Sequence, residues 1–406
     1  MLSLGSPEHV ARVPGLARRL RTIPASVGDQ TFDLALYEGR AVLSSAQLII
    51  VGVKPSGRVE TAALLGSAVK SLSVDGLIAP AVTIGWGETA AAALSATSAA
   101  VRLFVLPSGR AGSPLAASDA QLLGTTLLGD DGALRSLVAL GSLSANAILA
   151  PSPSAARALE TDPGLAARAS DEPLVAVRFG CDDPPHDPTS DPALPATYGP
   201  NNLAGKLENR RAMARRCSLG LGPRTLLLAT APLRPERGGY RVLAALERLS
   251  AFDVVTIVPA GGDQILLERA RLLAMQNPGR VSVVGEADDV GERHVRAAAD
   301  ALLLADDDDR TGRAAALAQL YGTLPIVIDA GANHDQVVDY DPRSGTGSAL
   351  LYGSHDPFEI ESAIRRAIAL RADGDQWSPL VKSLMLSAPR WSATATAVEE
   401  ICSQYS

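Results

Sequence analysis

The residues best suited to chemistry lie in one stretch, 299–325, reading ADALLLADDDDRTGRAAALAQLYGTLP. Its pattern predicts a short buried strand at 301–304, an acidic loop at 306–309, a tight turn at Gly312 and a helix whose Ala/Leu face ends at Tyr321 and Gly322. Pro325 then opens another strand. A loop that leaves the carboxyl end of a parallel strand and feeds a helix turns free N–H groups outward, which suits an anion and above all a phosphate. The four aspartates of the loop also suggest a metal-binding D-x-D arrangement; the plainer reading is a solvated acidic loop.

Such a stretch needs a scaffold of alternating strands and helices, and the rest of the chain supplies one. In the second half, strands are predicted at 225–229, 253–258, 281–284, 301–304 and 326–328, with a weaker one at 350–352. Helices lie between them at 239–249, 264–277, 291–299, 313–321 and 357–370. The first half alternates in the same way, with strands at 33–37, 46–53, 76–84, 102–106, 147–150 and 174–178. Its helices are expected at 59–71, 88–99 and 118–141 and after Ser152-Pro153-Ser154. Residues 3–24 read as an amphipathic helix with no strand before it, which is unusual for an α/β domain. Residues 181–200, CDDPPHDPTSDPALPATYGP, are dense in Pro and Asp and make the best linker. Two α/β domains of similar size are expected, with the carboxyl edges of their sheets facing a ligand cleft.

Composition narrows the function classes. A net charge of -7 argues against a broad nucleic-acid surface. No run of 18 apolar residues and no basic segment before an apolar core occurs, so neither a membrane span nor a signal peptide is expected, and the expected location is cytoplasmic. Cys181, Cys217 and Cys402 are far apart and odd in number, and the five histidines form no ligand pattern, so neither a disulfide framework nor a metal site is expected.

Several blocks of the second half resemble the bacterial glycogen/starch synthase family, retaining glycosyltransferases of the GT-B fold. Residues 206–211 (KLENRR) match the family's K-x-E-N-K-R helix start, and 231–238 (APLRPERG) sit where members carry S-R-L-T-x-Q-K-G. The stretch 299–325 lies on A-D-x-x-L-x-P-S-x-x-E-P-C-G-L-x-Q-x-x-x-x-x-Y-G-x-x-P without a gap. Residues 331–337 (GANHDQV) resemble the family's G-G-L-x-D-T-V turn, and 346–352 resemble its T-G-F-x-F block. In the first half, 145–157 (ANAILAPSPSAAR) and 179–182 (FGCD) agree more faintly.

The resemblance implies an α/β GT-B fold of two Rossmann-like domains facing a central cleft. An acceptor domain is expected at 1–190, a nucleotide-binding domain at 191–385, and a C-terminal helix at 386–406 that packs back on the first domain. It implies a nucleoside-diphosphate donor as substrate with no cofactor, a small-molecule acceptor, and no nucleic acid or membrane partner. A homodimer is allowed for.

Carried over residue by residue, the resemblance makes Arg237 and Asp309 the catalytic candidates. Arg237 replaces the lysine of a diphosphate-binding pair whose arginine falls at Pro232, and Arg234 is a stand-in for that lost arginine. Asp309 replaces the glutamate of E-P-C-G, and either orients the donor or caps the next helix. Gly238, Thr311, Gly312, Arg313 and Ala314 would face phosphate, the last four through backbone N–H groups. Gly285 and Glu286 would receive the base, Glu286 accepting from a guanine amino edge, so GDP is one donor nucleotide to consider. His334 and Asp335 would touch a donor or acceptor ring; the alternative is a plain turn.

Other positions depart from the family. Residues 5–8 (GSPE) stand where members have K-x-G-G, and Leu106 stands where a histidine contacts the donor sugar. This pattern, nucleotide grip retained and hexose grip lost, resembles the pseudo-glycosyltransferases of acarbose-type aminocyclitol pathways. These couple an NDP-cyclitol of the GDP-valienol type to an amino-deoxysugar through a C–N bond. The alternative is a catalytically inactive relative serving as a binding or partner subunit.

Overall fold

A computed structural model of the chain describes residues 2–5, 16–27, 30–40, 47–52, 57–75, 80–110, 136–162, 173–183, 186–285 and 288–405, with positions 112, 113, 115, 116, 119, 123 and 165. The chain divides into two compact units, Met1–Val177 with Val398–Ser406, and Arg178–Ala397.

The first unit holds two four-stranded sheets. In one, β1 (Leu2–Gly5), β2 (Leu16–Val27), β3 (Gln30–Arg40) and β4 (Gln47–Gly52) lie in the order β1-β4-β3-β2, with β1 parallel to β4 and the other pairs antiparallel. In the other, β5 (Val82–Trp86), β6 (Val101–Val105), β7 (Ala147–Ala150) and β8 (Leu174–Ala176) run parallel. The unit's helices are α1 (Arg58–Val74), α2 (Ala91–Ala96), α3 (Leu137–Ser144) and α4 (Pro153–Glu160). Ser152 caps α4, its hydroxyl accepting from the Ala155 N–H at 3.0 Å.

The first strand, read as missing, is therefore present as β1, and over 16–24 the helix expected at 3–24 is replaced by strand β2, the rest of that span from 6 to 15 lying outside the described residues. Ile23, Ala25 and Val27 are buried while Thr22 and Pro24 are exposed, a period of two. Pro24 has no N–H to give a helix interior, but it is tolerated on β2, the edge strand of this sheet. Pairing with β3 overrides the helical propensity of the Arg/Leu run, which is a local preference only. Most of the helix expected at 118–141 lies outside the described residues.

The second unit is a six-stranded parallel sheet formed by β9 (Leu226–Thr230), β10 (Val254–Pro259), β11 (Val281–Val284), β12 (Ala301–Leu304), β13 (Leu324–Ile328) and β14 (Leu350–Tyr352). Its order is β11-β10-β9-β12-β13-β14, the doubly wound arrangement in which the winding reverses between β9 and β12. Both faces are covered: Leu226, Leu228 and Leu303 enter one core, while Leu227, Ala229, Leu302 and Leu304 enter the other. The helices are α5 (Ala204–Arg216), α6 (Gly239–Glu247), α7 (Gln264–Gln276), α8 (Asp289–Ala298), α9 (Arg313–Leu320), α10 (Gly331–Gln336), α11 (Pro357–Ala372) and α12 (Gly374–Ser387). A last helix, α13 (Trp391–Gln404), follows. The sequence pattern had not indicated α12, which Asp373 caps, accepting from the Asp375 and Gln376 N–H groups at 3.1 and 3.2 Å.

Buried polar groups tie the base of this sheet together. The Lys206 ammonium on α5 donates to the carbonyls of Ala299 and Tyr321 at 3.1 and 2.8 Å and to the Thr323 hydroxyl at 3.0 Å, with the Ala297 carbonyl at 3.4 Å. One turn on, Arg210 Nε meets Asp300 Oδ2 at 2.9 Å, and the same oxygen accepts the Leu227 N–H at 2.8 Å. The stretch read as a linker is part of this framework. Asp191 is buried against Arg293 at 2.6 Å, and the Tyr198 hydroxyl donates to the Tyr321 carbonyl at 2.8 Å.

Candidate functional site

The crevice beside β9 and β12 is where a doubly wound sheet binds ligands, because loops leaving the two strands part there in opposite directions. Both candidate stretches lie at its rim. After β9 the chain makes a single 3-10 turn, Pro235–Arg237, and enters α6 through Gly238 at φ +70°. The N–H groups of Arg237 and Gly239 both donate to the Arg234 carbonyl, at 3.1 and 2.9 Å, so one carbonyl gathers the turn. A side chain at Gly238 would be strained by the left-handed backbone. Its Cβ would also sit 3.0 Å from the Ala305 carbonyl and from the His355 ring, so this position strongly favours glycine.

Arg237 reaches across the switch point, its Nε 3.1 Å from Asp306 Oδ2, and it is 57% exposed. Among the described residues its two Nη atoms meet no acceptor. Arg234 is half exposed and only 4.0 Å from its neighbour Glu236. Partial burial pushes the Asp306 carboxyl above its ordinary range, opposed by Arg237 and reinforced by Asp309.

Beyond Gly312, at φ +63°, α9 begins, and the turn ahead of it caps itself. Asp309 Oδ1 accepts the N–H groups of Thr311 and Gly312 at 2.9 and 3.1 Å and the Thr311 hydroxyl at 2.9 Å. That hydroxyl in turn accepts the Arg313 N–H at 3.1 Å. Donors expected to stand free at this helix start are thus in part already satisfied: Asp309 caps the turn ahead of the helix, and the helix's first N–H goes to the Thr311 hydroxyl. From α10, the Gln336 amide donates to the Thr311 carbonyl at 3.2 Å, and the Ala332 N–H donates to the Asp309 carbonyl at 2.8 Å.

The acidic loop is not a free cluster. Asp306 faces Arg237, Asp307 meets His355 Nε2 at 2.9 Å, Asp308 meets Arg310 Nε at 3.1 Å, and Asp309 caps the turn. Among the described residues no group of three or more His, Cys, Asp or Glu is placed to hold a metal, and no helix is long and apolar enough to cross a membrane.

The structure brings together Arg234, Arg237 and Gly238 at one side of the switch point, with Asp309, Thr311, Gly312, Arg313 and Ala314 at the other. The Arg313 side chain turns elsewhere, its Nη2 3.0 Å from Asp183. His334 is exposed on α10 and paired with Asp329 at 2.8 Å, and Asp335 follows it on what is a short helix and not a plain turn. Gly285 directly follows β11, which is separated from β9 by β10, and Glu286 lies outside the described residues.

Sequence reasoning missed His355 and the individual partners within the aspartate run. His355 packs on Gly238, and its Nδ1 is buried without a partner among the described residues. Among the described residues the Thr230 hydroxyl at the end of β9 and Asn333 Oδ1 on α10 share that condition. The signal for His355 was its place just past β14, whose carboxyl end reaches the same rim; that placement follows from strand order, which the sequence does not state.

No protein-family model matches the chain. It is 31% identical over 232 residues to a glycogen synthase of Halorhodospira halophila, covering 57% of this chain and 48% of that one. The chain spans about half the length of the curated relatives it matches. The catalytic domain of starch synthase IV from Arabidopsis thaliana, bound to ADP and acarbose, superposes with a TM-score of 0.81 at 17% identity, covering 97% of this chain and 89% of that one. Anabaena HepE in complex with UDP and glucose superposes with a TM-score of 0.56 at 15% identity over 88% of this chain and 86% of its own. The fold is GT-B.

Proposed function

We propose that the chain is a glycogen-synthase-like transferase that takes a nucleoside-diphosphate donor at the rim of the six-stranded sheet. The observation that carries this reading is Arg237, ion-paired at its Nε across the switch point, with neither Nη atom meeting an acceptor among the described residues. Departure of the nucleoside diphosphate breaks the bond from the donor carbon to the terminal phosphate oxygen and leaves the electron pair on that oxygen. A guanidinium fork stabilises the charge that develops there, more than it stabilises the ground state.

Gly238 lets the α6 start approach the phosphate, and Arg234 adds a mobile positive charge. Gly312, Arg313 and Ala314 line the facing helix start, with Thr311 and Asp309 setting its shape. Gly285 and Glu286 belong to the base, and His334 and Asp335 to the transferred ring. The matches to glycogen synthases over 57% and 54% of the chain support the transferase reading. A non-catalytic scaffold is the less favoured reading, since it gives no reason for an oriented cation beside a glycine whose left-handed backbone disfavours any side chain.

The finer proposal concerns the donor ring. Leu106, which follows β6 where the resemblance expects a sugar-binding histidine, is buried at 2% exposure and presents no polar group. A donor whose leaving step is assisted by its own ring alkene needs less from the protein, which favours an unsaturated NDP-cyclitol. An amine acceptor then forms the C–N bond and gives up one proton.

The test is a turnover panel in which GDP-, ADP- and UDP-linked glucose or valienol meet hydroxyl or amine acceptors, with diphosphate release and product mass followed. Release is expected only with the cyclitol donor and the amine. Release with glucose and a hydroxyl acceptor overturns the finer proposal, and absence of both release and nucleotide binding overturns the transferase.

A further inference from the structure

We propose that Asp306 is a positioning residue that presets the Arg237 guanidinium for a diphosphate; this rests on the function proposed above. The carboxylate is fixed at both oxygens. Oδ1 accepts the Asp308 N–H at 3.2 Å, and Oδ2 lies 3.1 Å from Arg237 Nε. Its backbone is set on either side. The Leu304 carbonyl accepts the Tyr352 hydroxyl at 3.0 Å, and Asp307 is held by His355, whose ring packs against Gly238.

The ion pair at Nε leaves the Nη1–Nη2 edge, which meets no acceptor among the described residues, for the ligand, and that edge matches two phosphate oxygens in a fork. An ion pair this exposed on its arginine side adds little to stability. Its effect is to remove rotamers: an arginine immobilised before binding gives up less freedom when the ligand arrives. The same carboxylate also repels an anion, so orientation and repulsion predict opposite outcomes when it is removed.

Titration calorimetry of the full chain with GDP, ADP and UDP, on wild type, Asp306→Ala, Asp306→Asn, Arg237→Met and the Arg237→Met/Asp306→Ala double variant, separates the two. Asp306→Ala is expected to weaken the tightest nucleotide by about fivefold. Asp306→Asn, which keeps the side chain's size and an oxygen to face Nε, is expected to stay within about twofold of wild type. Without Arg237, removal of Asp306 is expected to change nothing or to tighten binding slightly.

The proposal is overturned if Asp306→Ala binds as tightly as wild type or more tightly, or if its loss persists in the Arg237→Met background. Wild type failing to bind all three nucleotides would bring down the proposed function itself, and this inference with it. Binding lost with Arg237→Met but untouched by Asp306→Ala would bring down this inference alone.

Discussion

Replacing Lys206 with methionine tests whether the polar framework beneath the site behaves as its burial requires. The ammonium is 6% exposed, and burial pulls its pKa down to about 7, opposed by Asp300. In the unfolded chain the same group titrates near about 10.4. Between these values the unfolded state binds more protons than the folded one, so stability rises with pH through this window. The cost of burying the charge is full below about 7 and is relieved as the lysine deprotonates.

Integrated from pH 6 to 8.5, the gain is about 2 kcal/mol for wild type relative to Lys206→Met, which lacks the titrating group. For a unit of this size that is about 4–8 °C in the midpoint of thermal unfolding. The substitution leaves few acceptors stranded. The Tyr321 carbonyl keeps the Tyr198 hydroxyl, and the Ala299 carbonyl keeps Thr323. The assay is thermal unfolding of both proteins at pH 6, 7 and 8.5, with the difference in midpoints read against pH. Parallel curves, or a wild type that loses ground to the variant as pH rises, would refute the reasoning.

Other substitutions follow from the same geometry. Gly238→Ala is expected to cost about 1–2 kcal/mol in urea unfolding for its left-handed backbone, and to weaken nucleotide binding because the neighbouring Arg237 moves with the turn. Arg210→Met leaves Asp300 buried with Arg371, at 3.3 Å, as its remaining ion-pair partner among the described residues; it is expected to lower stability by about 3 kcal/mol, read as the urea midpoint, without changing the nucleotide preference.

The second unit was legible because its strands are apolar runs separated by amphipathic helices, so strands at 281–284, 301–304 and 350–352 match β11, β12 and β14 to the residue. The first unit was less so. The Arg/Leu segment ahead of Pro24 has a local helical preference, and only pairing with a strand that comes later in the chain shows it to be extended. The packing of the segment read as a linker was not legible for a related reason: Pro and Asp mark irregular backbone, but composition does not reveal that Asp191 will be buried on Arg293.

At the site, Arg237 and the Gly312 turn were visible as residue types at given spacings. The bonds that decide how they act were not. Oδ1 of Asp309 satisfying the helix start, and Asp306 holding Nε of Arg237, depend on side-chain directions that follow from tertiary packing.

The central claim is that the guanidinium at position 237 grips a diphosphate. It is tested most directly by titrating wild type, Arg234→Met and Arg237→Met with the nucleoside diphosphate that binds tightest. The account predicts a loss of at least about 30-fold for Arg237→Met, the scale of a charge-assisted fork, and a loss of only a fewfold for the half-exposed Arg234→Met. Equal affinity for wild type and Arg237→Met would contradict it.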